Sequence, residues 1–415
     1  MKLIPVLLTL FLTTTETEPP KAPSTMIDDA LAKSVVARIS EDVAAIRGRD
    51  FKQPVPVSVV NDERAIEQNL DAMEEHGAME EIAASEKVMK LLGLAEEKAD
   101  VFELFLDALR EQIGGYYDPR VGEFYLLDDM PAGMVDILTA HELTHALEDQ
   151  HFDLDAMLDD PDINDDQLFA RSAVSEGSAT LLMTIYTVQL AMTDLDESAF
   201  GEISDEAASS LPPALLRQMM APYVVGMTFV QQGNAMGWMA KGYPVADIDR
   251  LYTSPPLSSE QILHPEKYWD EAKRDDPVEV SLGNAGEALG SGWSRNYSEV
   301  LGELNLAVMA GADTPDAADP AALMGSAWTN RAASGWGGDR YELWEKGDRA
   351  VVLLSTVWDT GKDAEEFASA IMKRSVKPNM SMLKSGKQVV FVFGKCPKKR
   401  ADAALAAMLR GSQAP

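Results

Sequence analysis

The sequence predicts an α+β protein, predominantly helical, with one short sheet in its larger unit and a small α+β unit at its C-terminal end. Three observations predict it. Apolar residues recur at helical spacing through most of residues 26–270. β-Branched or aromatic runs bounded by turn residues interrupt them at only two places, 55–60 and 116–127. After Gly and Ser become more frequent near 280–290, the pattern changes to hairpin, helix, strand and helix. The divisions expected are 1–25, 26–280 and 281–415.

The chain has 415 residues, 46% hydrophobic and 25% charged, enough apolar material for a packed core. Its 36 basic and 68 acidic residues give a net charge of −32. Such a chain is repelled by phosphate backbones and anionic lipid surfaces, so nucleic acid and a membrane surface are not expected as partners. Cys396 is the single cysteine, which excludes an internal disulfide and any Cys-rich metal site. There are five histidines, so two of them at ligand spacing carry weight.

Lys2 and the apolar run at 3–12 read as an export signal, too short to span a bilayer, followed by a polar tether to about residue 25. No cysteine near the end of the run offers a lipoprotein anchor. The expected location is therefore outside the cytoplasm, periplasmic or secreted. Ile27, Leu31, Val35, Val36, Ile39, Val43 and Ile46 mark a first helix. Pro54 and Pro56 bound a strand at 55–60. Two or three helices follow between Asp62 and Gln112, and Gly114 and Gly115 are read as ending the last. A hairpin turns at Asp118-Pro119-Arg120-Val121-Gly122 and returns as a strand at 123–127. Pro131 opens a helix reaching about Gln150. An Asp-rich loop over 151–166 leads to a helix at 166–193, and helical stretches run through 213–239. Beyond the boundary come a helix at 297–310, a hairpin of 341–344 with 350–358, a helix at 363–374, a strand at 388–393 and a helix at 400–410.

The chemistry is concentrated at 140–146, Ala-His-Glu-Leu-Thr-His-Ala. His141 and His145 are four apart on a helix, so both imidazoles leave one face and can reach a single tetrahedral metal ion. Glu142 stands where a carboxylate can take a proton from a water at that ion. Ile137, Leu138, Leu143 and Leu147 make this helix apolar nearly all round, which places it in a core. Two histidines and a glutamate buried there require partners, and a metal supplies one.

A third ligand has two candidates. His151 completes a His-Glu-x-x-His-x5-His spacing, but no glycine breaks the helix at Glu148, and an unbroken helix turns His151 away. Glu176 lies among Ala173, Ser175, Gly177, Ser178 and Ala179, small residues that allow a second helix close approach. For stabilising a developing oxyanion the candidates are His264, Tyr223 and Tyr186, with His264 favoured by its Pro-rich loop. A calcium reading of Asp160, Asp162 and Asn164 fails, because Asp165 and Arg171 stand where an EF-hand needs Gly and Glu. Met219, Met220, Met227 and Met236 read as core packing.

His-Glu-Leu-Thr-His at 141–145 followed by Glu-Gly-Ser-Ala at 176–179 resembles the gluzincin branch of zinc metallopeptidases. More narrowly, the chain resembles a group of bacterial metallopeptidase-like proteins, through Gly-Tyr-Tyr-Asp-Pro at 115–119, Ser-Glu-Gly-Ser-Ala-Thr at 175–180 and Glu-Gln-Ile-Leu-His-Pro-Glu-Lys-Tyr at 260–268. The resemblance covers about 45–270. It implies a zincin-like catalytic core over 26–280, with a short sheet beside the His141 helix and one Zn²⁺ held by His141, His145 and Glu176. It further implies Glu142 as general base and a peptide or protein substrate. It also implies that the strand before the active helix, here 123–127, is a sheet edge that pairs with substrate. Thr180 departs from the Asp that thermolysin-like enzymes often carry four residues after the ligand Glu, which leaves Asp149 as a candidate to orient a ligand histidine. The alternative from another class is a non-catalytic envelope protein with a structural metal site, binding a partner through its C-terminal domain.

Overall fold

Helix α1 (Asp29–Arg47) shows how local sequence sets the elements: the Asp28 side chain accepts from the Leu31 amide at its start, and Gly48 takes a left-handed conformation at its end. The computed structural model describes residues 7–10, 27–75, 77–194, 211–232, 242–311, 327–374 and 379–411. The architecture is α+β, mostly helical, with two small sheets. No helix among the described residues is long and apolar enough to cross a membrane.

The first sheet has the order β1-β3-β4-β2, from Leu7–Leu10, Ile113–Asp118, Glu123–Leu127 and Val57–Val60. β3 and β4 form the expected hairpin, with Tyr116 opposite Tyr125 and Asp118 opposite Glu123. β2 lies parallel to β4 on its far side. β4 is therefore an inner strand, which corrects its assignment as the sheet edge. β3 is inner as well, because Leu7–Leu10 of the apolar N-terminal run pairs antiparallel along its other side and forms the edge. Gly114 and Gly115 lie inside β3 rather than at a helix end. A Cβ on Gly115 would stand 2.7 Å from the Tyr125 carbonyl oxygen and 3.1 Å from Leu138, so glycine there admits the hairpin and the helix behind it.

Helices α2 (Asp62–Glu75), α3 (Ala78–Leu92) and α4 (Val101–Gln112) precede this sheet. After it come α5 (Ala132–Phe152), α6 (Leu154–Leu158), α7 (Asp165–Asp194) and α8 (Pro213–Val230). α7 and α8 cross at Gly177 and Gly226: a Cβ on Gly177 would come within 2.3 Å of the Gly226 backbone, and one on Gly226 within 2.2 Å of the Ala173 carbonyl oxygen. The small residues at 173–179 thus accommodate α8 at Ala173 and Gly177, while Ser175 and Ser178 turn to α5. Short helices α9 (Val245–Thr253), α10 (Ser259–Leu263) and α11 (Glu266–Trp269) close the larger unit.

The second sheet has the order β5-β6-β7-β9-β8, all antiparallel, from Ser294–Glu299, Trp336–Lys346, Arg349–Trp358, Gln388–Gly394 and Met380–Ser385. Helices α12 (Gly302–Met309), α13 (Gly361–Lys373) and α14 (Lys398–Gly411) accompany it. The helix expected over 297–310 is split into β5 and α12, and β8 was not foreseen. One apolar core runs through both units, joining Met89 and Leu92 of α3 to Val352, Leu354 and Phe393 of the second sheet.

Candidate metal centre

α5 carries His141, Glu142 and His145 into the interior, where all three are fully buried. α7, packed against α5, brings Glu176, also buried. His141 Nε2 and His145 Nε2 stand 3.0 Å apart, and Glu176 Oε2 lies 3.2 Å from the first and 3.5 Å from the second. Ligands about 2.0–2.1 Å from a tetrahedral ion are separated from one another by about 3.3 Å, and the three distances bracket that value. The three atoms form a compact donor set suited to a cation. Two imidazole nitrogens and a carboxylate oxygen directed at one buried point are a donor set that a cation between them would satisfy. These residues fit a zinc ion.

Burial alone would raise the Glu176 pKa, but the adjacent His145 and His141 outweigh it and hold the carboxyl below its ordinary range. Ser175 Oγ lies 3.2 Å from His145 Nδ1; accepting the Nδ1 proton, it would leave the Nε2 lone pair facing Glu176. Ser175 was missed by sequence reasoning, although its position beside Glu176 on the small-residue face was the available signal. His141 Nδ1 is buried without a hydrogen-bond partner among the described residues.

Glu142 Oε2 accepts the backbone N–H of Tyr117 at 2.7 Å, which fixes the carboxylate to β3. Tyr223 of α8 stacks near His141, ring centroids 6.1 Å apart and planes inclined by 26°. It stands one turn before the Gly226 crossing, which draws it in. His264 and Tyr186 are placed elsewhere. His264 Nε2 lies 3.0 Å from Glu303 Oε1, a contact made because α10 packs against α12. Burial lowers its pKa and the Glu303 carboxylate raises it, with a net rise. Tyr186 faces Arg38 and Asp136. Neither joins the metal cluster, so the oxyanion candidate brought beside it is Tyr223, not the favoured His264.

α5 continues unbroken through Glu148 to Phe152, so His151 turns outward and its Nε2 meets the Asp50 carbonyl oxygen at 2.9 Å. Asp149 does not orient a ligand histidine. Its oxygens accept from the Tyr117 hydroxyl at 2.7 Å and the Leu154 amide at 2.8 Å, and burial raises its pKa. Thr180 Oγ1 has no partner among the described residues. In the Asp-rich loop, Asp160 accepts from Arg171 at 3.0 Å.

Residues 291–395 match a domain of unknown function, the family DUF8575, and this segment spans β5 through β9. No curated protein and no solved structure matches the chain.

Proposed function

We propose that the chain is an exported zinc-dependent metallopeptidase of the gluzincin type, with a zincin-like core over residues 26–280. The observation that carries this reading is the convergence of His141, His145 and Glu176 within 3.0–3.5 Å, with Glu142 beside them. His141, His145 and Glu176 would hold one Zn²⁺, leaving a coordination position for substrate or water. When bound, the ion supplies Lewis acidity, polarising a carbonyl and acidifying water.

The protein's own residues do the rest. Glu142 accepts the proton of the attacking water and returns it to the leaving amine. The Tyr117 amide holds its carboxylate in place. Residues 7–10 pair along the outer side of β3, and removal of the export signal would free that side for an extended peptide, aligned past Glu142 by main-chain hydrogen bonds. Tyr223, whose ring stacks near His141, would donate its hydroxyl to a developing oxyanion. The test is digestion of a peptide library by wild type and Glu142→Gln, with zinc measured on both. Zinc should remain near one per chain while hydrolysis falls by at least ~10².

A second reading follows from the complete burial of His141, Glu142 and His145. Closed burial suits a structural metal in a non-catalytic envelope protein. That reading gains if metal-loaded wild type and Glu142→Gln are equally inert. Export rests on Lys2 and the run at 3–12. N-terminal sequencing of the natural protein should show about 15–25 residues removed, and an intact Met1 on a cytosolic protein contradicts it.

A further inference from the structure

Behind the metal centre lies a fully buried ion pair, Arg47 Nε with Glu148 Oε1 at 2.8 Å, that takes no part in the chemistry above. Glu148 follows His141 by seven residues on α5. Seven residues return a helix to within about 20° of its starting direction, so Glu148 lies on the ligand face two turns along. Residues of α7 meet all three of the α5 positions His141, His145 and Glu148. His141 meets Glu176 at 3.2 Å, His145 meets Ser175 at 3.2 Å, and Glu148 accepts from Ser178 Oγ at 2.5 Å.

The Glu148 contact is anchored on all sides. Its Oε2 accepts the Tyr252 hydroxyl from α9. Arg47, the last residue of α1, also reaches Asp249 Oδ1 at 2.9 Å and lies over the Tyr243 and Phe152 rings at 5.4 and 5.9 Å. One carboxylate therefore ties α5 to α1, α7 and α9. A buried charge with several fixed donors adds little net stability compared with apolar packing, but it permits only one register.

We propose that Glu148, clamped by Arg47, is a positioning residue for the metal centre: it sets α5 against α7 so that Glu176 Oε2 stays within reach of both Nε2 atoms. The inference rests on the metal-centre reading. A glutamate at the position where the His-Glu-x-x-His-x5-His arrangement would need a glycine therefore has a use beyond favouring helix.

The experiment uses the full chain and three variants: Glu148→Gln, the pair Arg47→Met with Glu148→Leu, and Ser178→Ala. Zinc affinity is measured by competition with a chelator, the Co²⁺ absorption spectrum reports coordination geometry, and thermal midpoints are taken metal-free. Wild type is measured first. If it binds no divalent ion, the metal-centre reading itself fails, before any variant is considered. With binding established, Glu148→Gln and the apolar pair should each lose 10–100-fold in zinc affinity, roughly the range for groups that orient ligands. The apolar pair should nonetheless keep a metal-free midpoint near wild type, because apolar replacement relieves the buried charges. An altered Co²⁺ spectrum at an unchanged midpoint is the mark of positioning. Wild-type affinity in Glu148→Gln, or full recovery of both affinity and spectrum in the apolar pair, overturns the proposal. Should those two variants fail to fold, Ser178→Ala decides: weaker zinc at an unchanged midpoint supports it, and unchanged zinc overturns it.

Discussion

The backbone N–H of Tyr117 donates to Glu142 Oε2 across 2.7 Å, so the carboxylate next to the first histidine is tied to β3. This contact fixes the reach of the proposed base. Glu142→Asp keeps the charge but shortens the side chain by one methylene, and the carboxylate can no longer meet both the amide and the reacting water. Displacement of a catalytic group by about 1 Å can cost ~10²-fold. Hydrolysis by Glu142→Asp should therefore fall by at least ~10-fold with zinc retained. Wild-type turnover by this variant would show that the Tyr117 contact does not position the base.

His264 belongs to a polar cluster where α10 meets α12. Its Nε2 lies 3.0 Å from Glu303 Oε1, and the Thr329 hydroxyl donates to the same oxygen. His264→Ala leaves the fully buried Glu303 short of a partner, which should destabilise the protein by about 1–3 kcal/mol in chemical denaturation. Zinc affinity and hydrolysis, per folded molecule, should not change. Loss of hydrolysis at full zinc occupancy would return His264 to the active site.

The same interface predicts a dependence of stability on pH. Burial pushes Asp166 up to about 7 and Asp339 up to about 6, from an ordinary value of 3.8. The hydrogen bonds each accepts oppose that rise, Asp166 from Ser259, Asp339 from Leu301, Gly302 and Trp336. Asp339 and Glu303 face Asp166, and Arg340 faces Asp339. Folding therefore favours the neutral acids. Their contribution is complete below about pH 4 and is lost as pH rises through about 6 to 7. The Arg-paired Asp249 has the opposite sign, but its depressed pKa confines that effect to acid below its ordinary range. Thermal midpoints should fall from about pH 5 to pH 8, and Asp166→Asn should flatten the fall. An identical profile in Asp166→Asn removes Asp166 as its source.

How much of this was legible depends on how local each signal is. His141, Glu142 and His145 are set by a spacing within one helix, which sequence displays directly. Glu176 needed the small residues around it and a family resemblance. Arg47 lies 101 residues before Glu148, so their pairing left no periodic trace, and Glu148 could be read only as a helix former. Gly114 and Gly115 read locally as a helix end, since glycine disfavours helix, but the neighbour that excludes a side chain at Gly115 is a carbonyl across the hairpin. The family resemblance implies an edge at β4, and nothing local shows that β2, some 65 residues earlier, covers it. His264 reads as the favoured oxyanion candidate from its Pro-rich loop, a setting that says nothing about where the ring points.

The measurement that tests the metal centre most directly is zinc stoichiometry and affinity in wild type, Glu176→Ala and His151→Ala, by elemental analysis and chelator competition. Wild type should hold one ion per chain. Glu176→Ala should lose affinity severely, because one of the three converging donors is gone. His151→Ala should bind as wild type does, since that ring meets the Asp50 carbonyl on the outer side of α5. Zinc lost in His151→Ala and kept in Glu176→Ala would contradict the assignment of the centre.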